Sequence, residues 1–236
     1  VDIRAMELSY VTTNEFADEL MLIPQKGKSR IFTKLNVYSF VKRACDIILS
    51  SIALILLSPV FLIIALAIRL ESDGPAFFVH KRIGKNGKTI GLYKFRSMVL
   101  NAEELIKSFT PEQMKEFKEN FKLENDPRIT KIGDFLRKTS LDELPQLLNI
   151  LKGDLSIIGP RPVIQEELEK YGVNKDKFLS ITPGLTGYWA ANGRSSTTYE
   201  QRMSMELYYV DHISFLLDVK TFLKTIISVV KKEGAI

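Results

Sequence analysis

The chain has 236 residues, 45% of them hydrophobic and 26% charged, with 33 Lys and Arg against 28 Asp and Glu for a formal net charge of +5. These proportions exclude a disordered tail and a small stapled scaffold, and 13 Gly and 9 Pro are too few for a collagen-like or linker protein. Cys45 is alone and only His80 and His212 supply imidazoles, so no intramolecular disulfide forms and a zinc site of several Cys and His ligands is implausible. A reducing cytosol fits this usage.

Residues 1–36 are weakly patterned, with a short helix predicted after Asn14 that ends before Pro24, and no chemistry is assigned to them. Lys26, Lys28, Arg30, Lys34, Lys42 and Arg43 follow as a basic cluster, which beside a membrane segment is drawn to anionic lipid by about 1 kcal/mol per residue. That segment is Ile47 to Ile68, 22 residues without a charge. Fifteen are Leu, Ile, Val or Phe, which together favour lipid by about 5 to 9 kcal/mol. Pro59 interrupts it, leaving the Ile55 carbonyl without its partner, and the Ser58 hydroxyl is placed to cap a freed carbonyl. Basic residues flank both ends, so the charge rule gives no vector across the bilayer. A re-entrant helix-break-helix with the break at Ser58-Pro59 is the favoured reading, and a kinked span stays open beside it.

After Gly74-Pro75, Phe77 to Lys85 and Lys88 to Arg96 flank Asn86-Gly87, which predicts a β-hairpin with Lys94 and Arg96 on one face. The hairpin holds six cations and no acid, suiting either a bound phosphate or a soluble edge protected by lysines. Gly87-Lys88-Thr89 is not a phosphate-binding P-loop, because Arg82 stands where the first Gly is required and a strand follows. Thr110-Pro111-Glu112-Gln113 reads as a capping box opening a helix with Met114, Phe117 and Phe121 on one stripe.

Ser140 and Glu143 have capping-box spacing ahead of an apolar run stopped by Gly153, although Pro145 allows a start there instead. Either start puts Asp142 and Glu143 at a helix N-terminus, where the dipole keeps carboxylates ionised and favours a phosphate. Spacing alone favours reading them as acids that simply cap a helix. Gly159-Pro160-Arg161-Pro162 fixes the backbone around Arg161 as a phosphate clamp needs, or as any rigid loop would. Tyr188 and Trp189 suit base stacking or a core, and Ile213 to Val230 reads as an amphipathic helix, packed on a core or lying in the membrane interface.

From about Lys42 onward these features resemble the bacterial sugar transferases, monotopic polyprenyl-phosphate phosphoglycosyl transferases. The matching residues are Lys42-Arg43 with Asp46, Ser58-Pro59, Tyr93 to Arg96, Ser140 to Leu144, Gly153-Asp154, Gly159 to Pro162, Pro183-Gly184 with Thr186-Gly187, Gly193-Arg194 and Leu217-Asp218. The resemblance implies an α+β, mainly helical fold: a re-entrant membrane helix-break-helix anchoring a small cytoplasmic catalytic domain with a β-hairpin and amphipathic interfacial helices. Boundaries follow at 1–36 for an N-terminal extension, 37–72 for the juxtamembrane and membrane helix, and 73–236 for the catalytic domain. The implied location is the cytoplasmic face of the cytoplasmic membrane.

By the same resemblance Asp142 is the nucleophile that takes a sugar phosphate from a UDP-sugar and releases UMP. A polyprenyl phosphate, usually undecaprenyl, then displaces Asp142. Glu143 is the implied ligand for Mg²⁺, and Lys94, Arg96, Arg137, Arg161, Arg194 and Asp218 are implied substrate-binding or near-site residues. Membrane lipids, a homo-oligomer and downstream glycosyltransferases of exopolysaccharide, capsule, O-antigen or glycoprotein assembly complete the implied partners. Nucleic acid is not among them, since the cations cluster around a carboxylate pair beside an apolar segment. A catalytically inactive membrane-tethered adaptor of a glycan assembly complex is the alternative, and the intact acid pair argues against it. His80 departs from the Gln usual in the family, and Ala190-Ala191 from its Gln-Val.

Overall fold

A computed structural model describes residues 25–120, 123, 125–193 and 197–230. The helix predicted after Asn14, Arg194 and Phe121 lie outside the described residues. Helix α1 (Gln25–Glu71) is followed by strands β1 (Phe77–Ile83) and β2 (Thr89–Phe95). Helices α2 (Ala102–Leu105), α3 (Pro111–Asn120), α4 (Lys131–Lys138) and α5 (Leu147–Lys152) precede β3 (Ser156–Ile158). Helices α6 (Gln165–Glu169) and α7 (Lys175–Leu179), strand β4 (Gly184–Thr186), then α8 (Tyr188–Asn192), α9 (Tyr199–Asp211) and α10 (Phe215–Val230) complete the order. The residues from Cys45 onward form one compact unit.

Strands β1 and β2 pair antiparallel, from Phe77 opposite Phe95 to Ile83 opposite Thr89. Their turn places both Asn86 and Gly87 at positive φ, 56° and 76°. That is the requirement which makes Asn-Gly a hairpin signal. The second sheet is a short parallel pair, β3 with β4. The Thr110 capping box forms as expected: its hydroxyl accepts the Gln113 N–H at 3.2 Å and Gln113 Oε1 accepts the Thr110 N–H at 3.0 Å.

Helix α1 runs unbroken through Ser58 and Pro59. The Ser58 hydroxyl donates at 2.8 Å to the Ile55 carbonyl, the acceptor that Pro59 cannot serve. Between Ala53 and Ile68 one face of the helix packs on the rest of its unit: Ala53, Leu54 and Leu57 against Leu92, Leu147 and Ile150, then Phe61, Ile64 and Ile68 against Phe95 and Leu136. Both ends of that face are pinned. Asp46 Oδ1 accepts the Ile157 N–H at 2.9 Å, and Glu71 Oε1 accepts the Ile132 N–H at 3.0 Å. Ile48, Ile52, Ile55, Leu56, Leu62, Ile63 and Leu66 on the rest of the helix are exposed.

Candidate active site

Residues 78, 80 and 82 of β1 share a face with 94, 92 and 90 of β2, because directly paired residues point to the same side of a hairpin. Leu92 packs on α5 through Leu147 and Ile150, which brings that face against the acid pair. Asn149 fixes the contact: its Oδ1 accepts the Tyr93 N–H at 2.9 Å and its amide donates to the Gly91 carbonyl at 2.7 Å.

Asp142 and Glu143 stand in the first turn of a 3-10 segment, Leu141–Gln146, that leads into α5. The capping box expected from Ser140 and Glu143 does not form. Ser140 takes a left-handed conformation with φ 58° and makes no side-chain cap. Pro145 is the reason, since a proline inside the first turns removes an α-helical hydrogen bond that a 3-10 turn does without. Gly153 ends α5 as expected, at φ 89°. A non-glycine residue held at positive φ two positions before the acid pair is the kind of strain that collects at functional sites.

Lys94 Nζ lies 2.7 Å from Glu143 Oε1 and 3.6 Å from Asp142 Oδ2. Arg161 Nη2 approaches the same Glu143 oxygen at 3.3 Å. Burial pushes the Glu143 carboxyl up, but Lys94 and Arg161 together outweigh it and hold the group down at about 2. Asp142 goes the other way: burial raises it, Glu143 adds to the rise, and Lys94, Arg137 and Arg161 oppose without prevailing. The helix dipole therefore does not decide the pair. The two neighbours divide into a firmly ionised acid crowned by cations and a buried one whose nearest cation stands beyond hydrogen-bond distance.

The loop carrying Arg161 owes its shape to glycines. Gly159 N–H donates to the Thr186 carbonyl at 2.9 Å and Gly184 N–H to the Pro160 carbonyl at 2.8 Å. A Cβ on Gly184 would sit 2.1 Å from the Gly159 nitrogen, so the Pro183-Gly184 motif exists to let two backbones meet. The Arg161 N–H is held by Glu206 Oε1 at 3.0 Å.

Other expected residues fall at different distances from the pair. Arg137 Nε donates to Ser97 Oγ at 2.9 Å, and Asp142 is the strongest charge acting on it. Arg96 is not brought to the pair: its guanidinium holds the Ser72 carbonyl at 2.7 Å and the Asp73 carbonyl, bracing the end of α1 against the hairpin. Asp218 accepts the Tyr209 hydroxyl at 2.6 Å, and that hydroxyl also reaches the Ile158 carbonyl at 3.4 Å, so Asp218 is tied to the strand feeding the Arg161 loop. Trp189 is used internally, donating to Thr197 Oγ1 at 2.7 Å and lying under Arg202.

Arg82, one of the six hairpin cations but not among the expected site residues, lines one pocket with Lys94, Glu143, Gln146 and Arg161. Burial and the facing Arg161 both act against its charge, with Glu167 opposing them. Arg82 sits two residues from His80 on the same strand face as Lys94, and that alternation is the signal that would have found it. Burial first, then Arg82, Lys94 and Arg161, push the His80 imidazole down to about 4, so it is neutral near pH 7. Arg82, Lys94 and Arg161 bring three cations to the pocket wall, each also facing an acid, and such a wall complements a phosphate-bearing ligand.

The sequence model of the bacterial sugar transferase family matches residues 37–232. The chain belongs to the bacterial sugar transferase family. An undecaprenyl-phosphate galactose phosphotransferase of Salmonella typhimurium is 43% identical over 226 residues, covering 93% of this chain and 46% of the relative. A UDP-galactose-lipid carrier transferase of Erwinia amylovora is 38% identical over 240 residues, covering 100% of this chain and 48% of the relative. The exopolysaccharide production protein ExoY of Sinorhizobium fredii is 42% identical over 197 residues, 82% of this chain and 87% of the relative. The chain thus spans about half the length of the first two of these sugar transferases.

Family membership raises the question of Mg²⁺, and the site fits it. Among the described residues no group of three His, Cys, Asp or Glu side chains gathers as a closed cage. Mg²⁺ rarely asks for one, taking one or two carboxylates and completing its shell with water and substrate phosphate. Both cations contact Glu143 through Oε1, and no hydrogen bond is made to Oε2 among the described residues. Glu143 is therefore ionised, fixed, and has an oxygen to spare beside a cation-rich pocket.

Proposed function

We propose that this protein transfers a sugar 1-phosphate from a UDP-sugar to a membrane polyprenyl phosphate through a covalent intermediate on Asp142. An Asp142 oxygen forms a bond to the sugar-bearing phosphorus while the bridging P–O bond breaks and UMP departs. A phosphate oxygen of the polyprenyl acceptor then bonds to the same phosphorus, and the Asp142 carboxylate leaves. The observation that carries the reading is the division of the acid pair, since a nucleophile needs an oxygen not already committed to a strong partner. Repulsion between a carboxylate and a phosphate at 4 Å is roughly 4 kcal/mol per unit charge at an effective dielectric of 20. Lys94, Arg82 and Arg161 offset it from the pocket wall. Mg²⁺ held at Glu143 Oε2 would supply further neutralisation of the transferring phosphate.

The same reading places α1 as a re-entrant, non-spanning anchor with its exposed apolar side in the cytoplasmic leaflet. Support comes from Asp46 and Glu71, which hold the two ends of the apolar stretch to one folded unit. A perpendicular span would drag that unit, with its charged pocket, through the hydrocarbon. The bend at Pro59 and the cytoplasmic side belong to this proposal. Relatives named for galactose make UDP-galactose the first donor to try, and exopolysaccharide initiation the first pathway.

The deciding experiment incubates the purified protein with Mg²⁺ and UDP-galactose, quenches it, and measures intact mass. An adduct of one hexose phosphate mapping to Asp142, discharged on adding polyprenyl phosphate with UMP released in proportion, is expected. No adduct, with kinetics that demand both substrates bound together, overturns the covalent step.

A further inference from the structure

Strand β1 opens with three consecutive apolar side chains in the open: Phe77 is 47% exposed, Phe78 51% and Val79 50%. Alternation sends Phe78 to one face and Phe77 and Val79 to the other, so neither face of the strand's start is covered. A hairpin in water protects such an edge with charge, as this strand does further along at the exposed Lys81. Its first residues lack that protection and therefore have another neighbour.

Two contacts say where this patch lies. Phe77 stacks on Phe95 at 5.1 Å between centroids, and Phe95 meets Phe61 of α1 at 5.3 Å, so an aromatic row ties the strand to the apolar helix. Phe78 is the direct cross-strand partner of Lys94, whose ammonium stands between Asp142 and Glu143. Directly paired side chains lie about 5 Å apart at Cβ. Within that one step the surface changes from exposed apolar ring to the cation at the reacting pair. An amphipathic molecule with an anionic phosphate at one end and a long hydrocarbon at the other matches that change.

We propose that the start of β1, centred on Phe78, is the subsite for the first isoprene units of the polyprenyl phosphate acceptor, holding the chain as its phosphate meets Lys94. The inference rests on the transfer reaction proposed above and adds the path by which the lipid reaches it. Leu66 and Leu70 of α1, the helix to which the aromatic row ties the strand, are 57% and 79% exposed and add apolar surface for lipid. Phe78 acts by binding and not by chemistry, so its removal is felt by a long acceptor and not by a short one.

The test compares Phe78→Ser with Phe78→Leu and the wild type, using undecaprenyl phosphate and methyl phosphate, a short acceptor with no isoprene unit, as acceptors. KM for the long acceptor is expected to rise about tenfold in Phe78→Ser, with the short acceptor's KM within about twofold and Phe78→Leu recovering most of the loss. An equal change for both acceptors, or a matching loss of co-sedimentation with anionic phospholipid vesicles, overturns the subsite in favour of a general structural or anchoring role. A second measurement needs no variant and no turnover. The wild type is photolysed with a polyprenyl phosphate carrying a diazirine in its first isoprene unit, and label is expected in the tryptic peptide of residues 70–81. Label found only elsewhere refutes the proposal even where transfer succeeds, and label there supports it even where transfer fails.

Discussion

Two glutamates on neighbouring elements are each met by two cations, and they have opposite uses. Glu167 of α6 spends both oxygens: Arg202 donates to Oε1 at 3.0 Å, while Arg82 at 3.0 Å and the Ile164 N–H at 3.2 Å donate to Oε2. Arg202 is itself packed over the rings of Trp189 and Tyr199, which closes the cluster. Glu143 meets Lys94 and Arg161 through Oε1 alone, and its neighbour Asp142 is left without a hydrogen bond at comparable range. Burial works against the charge at both glutamates, and the cations win at both. What separates the structural carboxylate from the proposed reactive pair is unfilled acceptor capacity, not the number of charges around it.

The sharpest way to break that comparison is Asp142→Asn. Removing the proposed nucleophile should lower UMP release by about a thousandfold or more. It should also raise the thermal midpoint, because burial disfavours this carboxylate and an amide escapes that cost. A folded variant that kept wild-type UMP release would remove Asp142 from the chemistry. Lys94→Met comes next, with activity down about a hundredfold. The remaining Arg161 contact on Glu143 should keep the variant folded, as a melting curve checks. Glu167→Gln should cost about 3 kcal/mol of stability by unpairing Arg82 and Arg202, and raise KM for the UDP-sugar about tenfold with kcat little changed. If Glu167→Gln matched Asp142→Asn in kcat, the division between the two clusters would fail.

Much of this arrangement was legible in the chain, and the misses share a cause. Asn86-Gly87, the Thr110 capping box and the Gly153 stop depend on residues within a few positions, and each forms as the local rules require. Ser140 and Glu143 obeyed the same local rule and failed, because Pro145 one turn later changed the kind of helix. Arg96 shared a strand with Lys94, yet its guanidinium is captured by carbonyls at the end of α1, a contact between residues more than 20 positions apart. Arg82 entered the pocket through Glu167, 85 residues downstream. Spacing gives the face of a strand; only packing decides which elements that face meets.

The smallest expected effect tests whether holding the Arg161 loop needs a charge. Glu206 of α9 is 1% exposed, accepts the Arg161 N–H through Oε1, and has a buried Oε2 with no hydrogen-bond partner among the described residues. Burial raises its carboxyl to about 7 against the pull of that N–H, Arg202 and Arg161. The folded state therefore keeps a proton that the unfolded chain releases near its ordinary value of 4.5, and stability falls as pH rises from there through about 7. Glu206→Gln retains an acceptor for the Arg161 N–H and has no proton to lose. Its stability should match the wild type near pH 4 and exceed it by about 3 kcal/mol above pH 8, with activity within about threefold. Denaturation at a series of pH values reads this directly. A variant less stable than the wild type at pH 8 would mean that Glu206 holds the loop as a carboxylate, and the Arg161 anchor would then share with Glu167 a reliance on charge that its single hydrogen bond does not suggest.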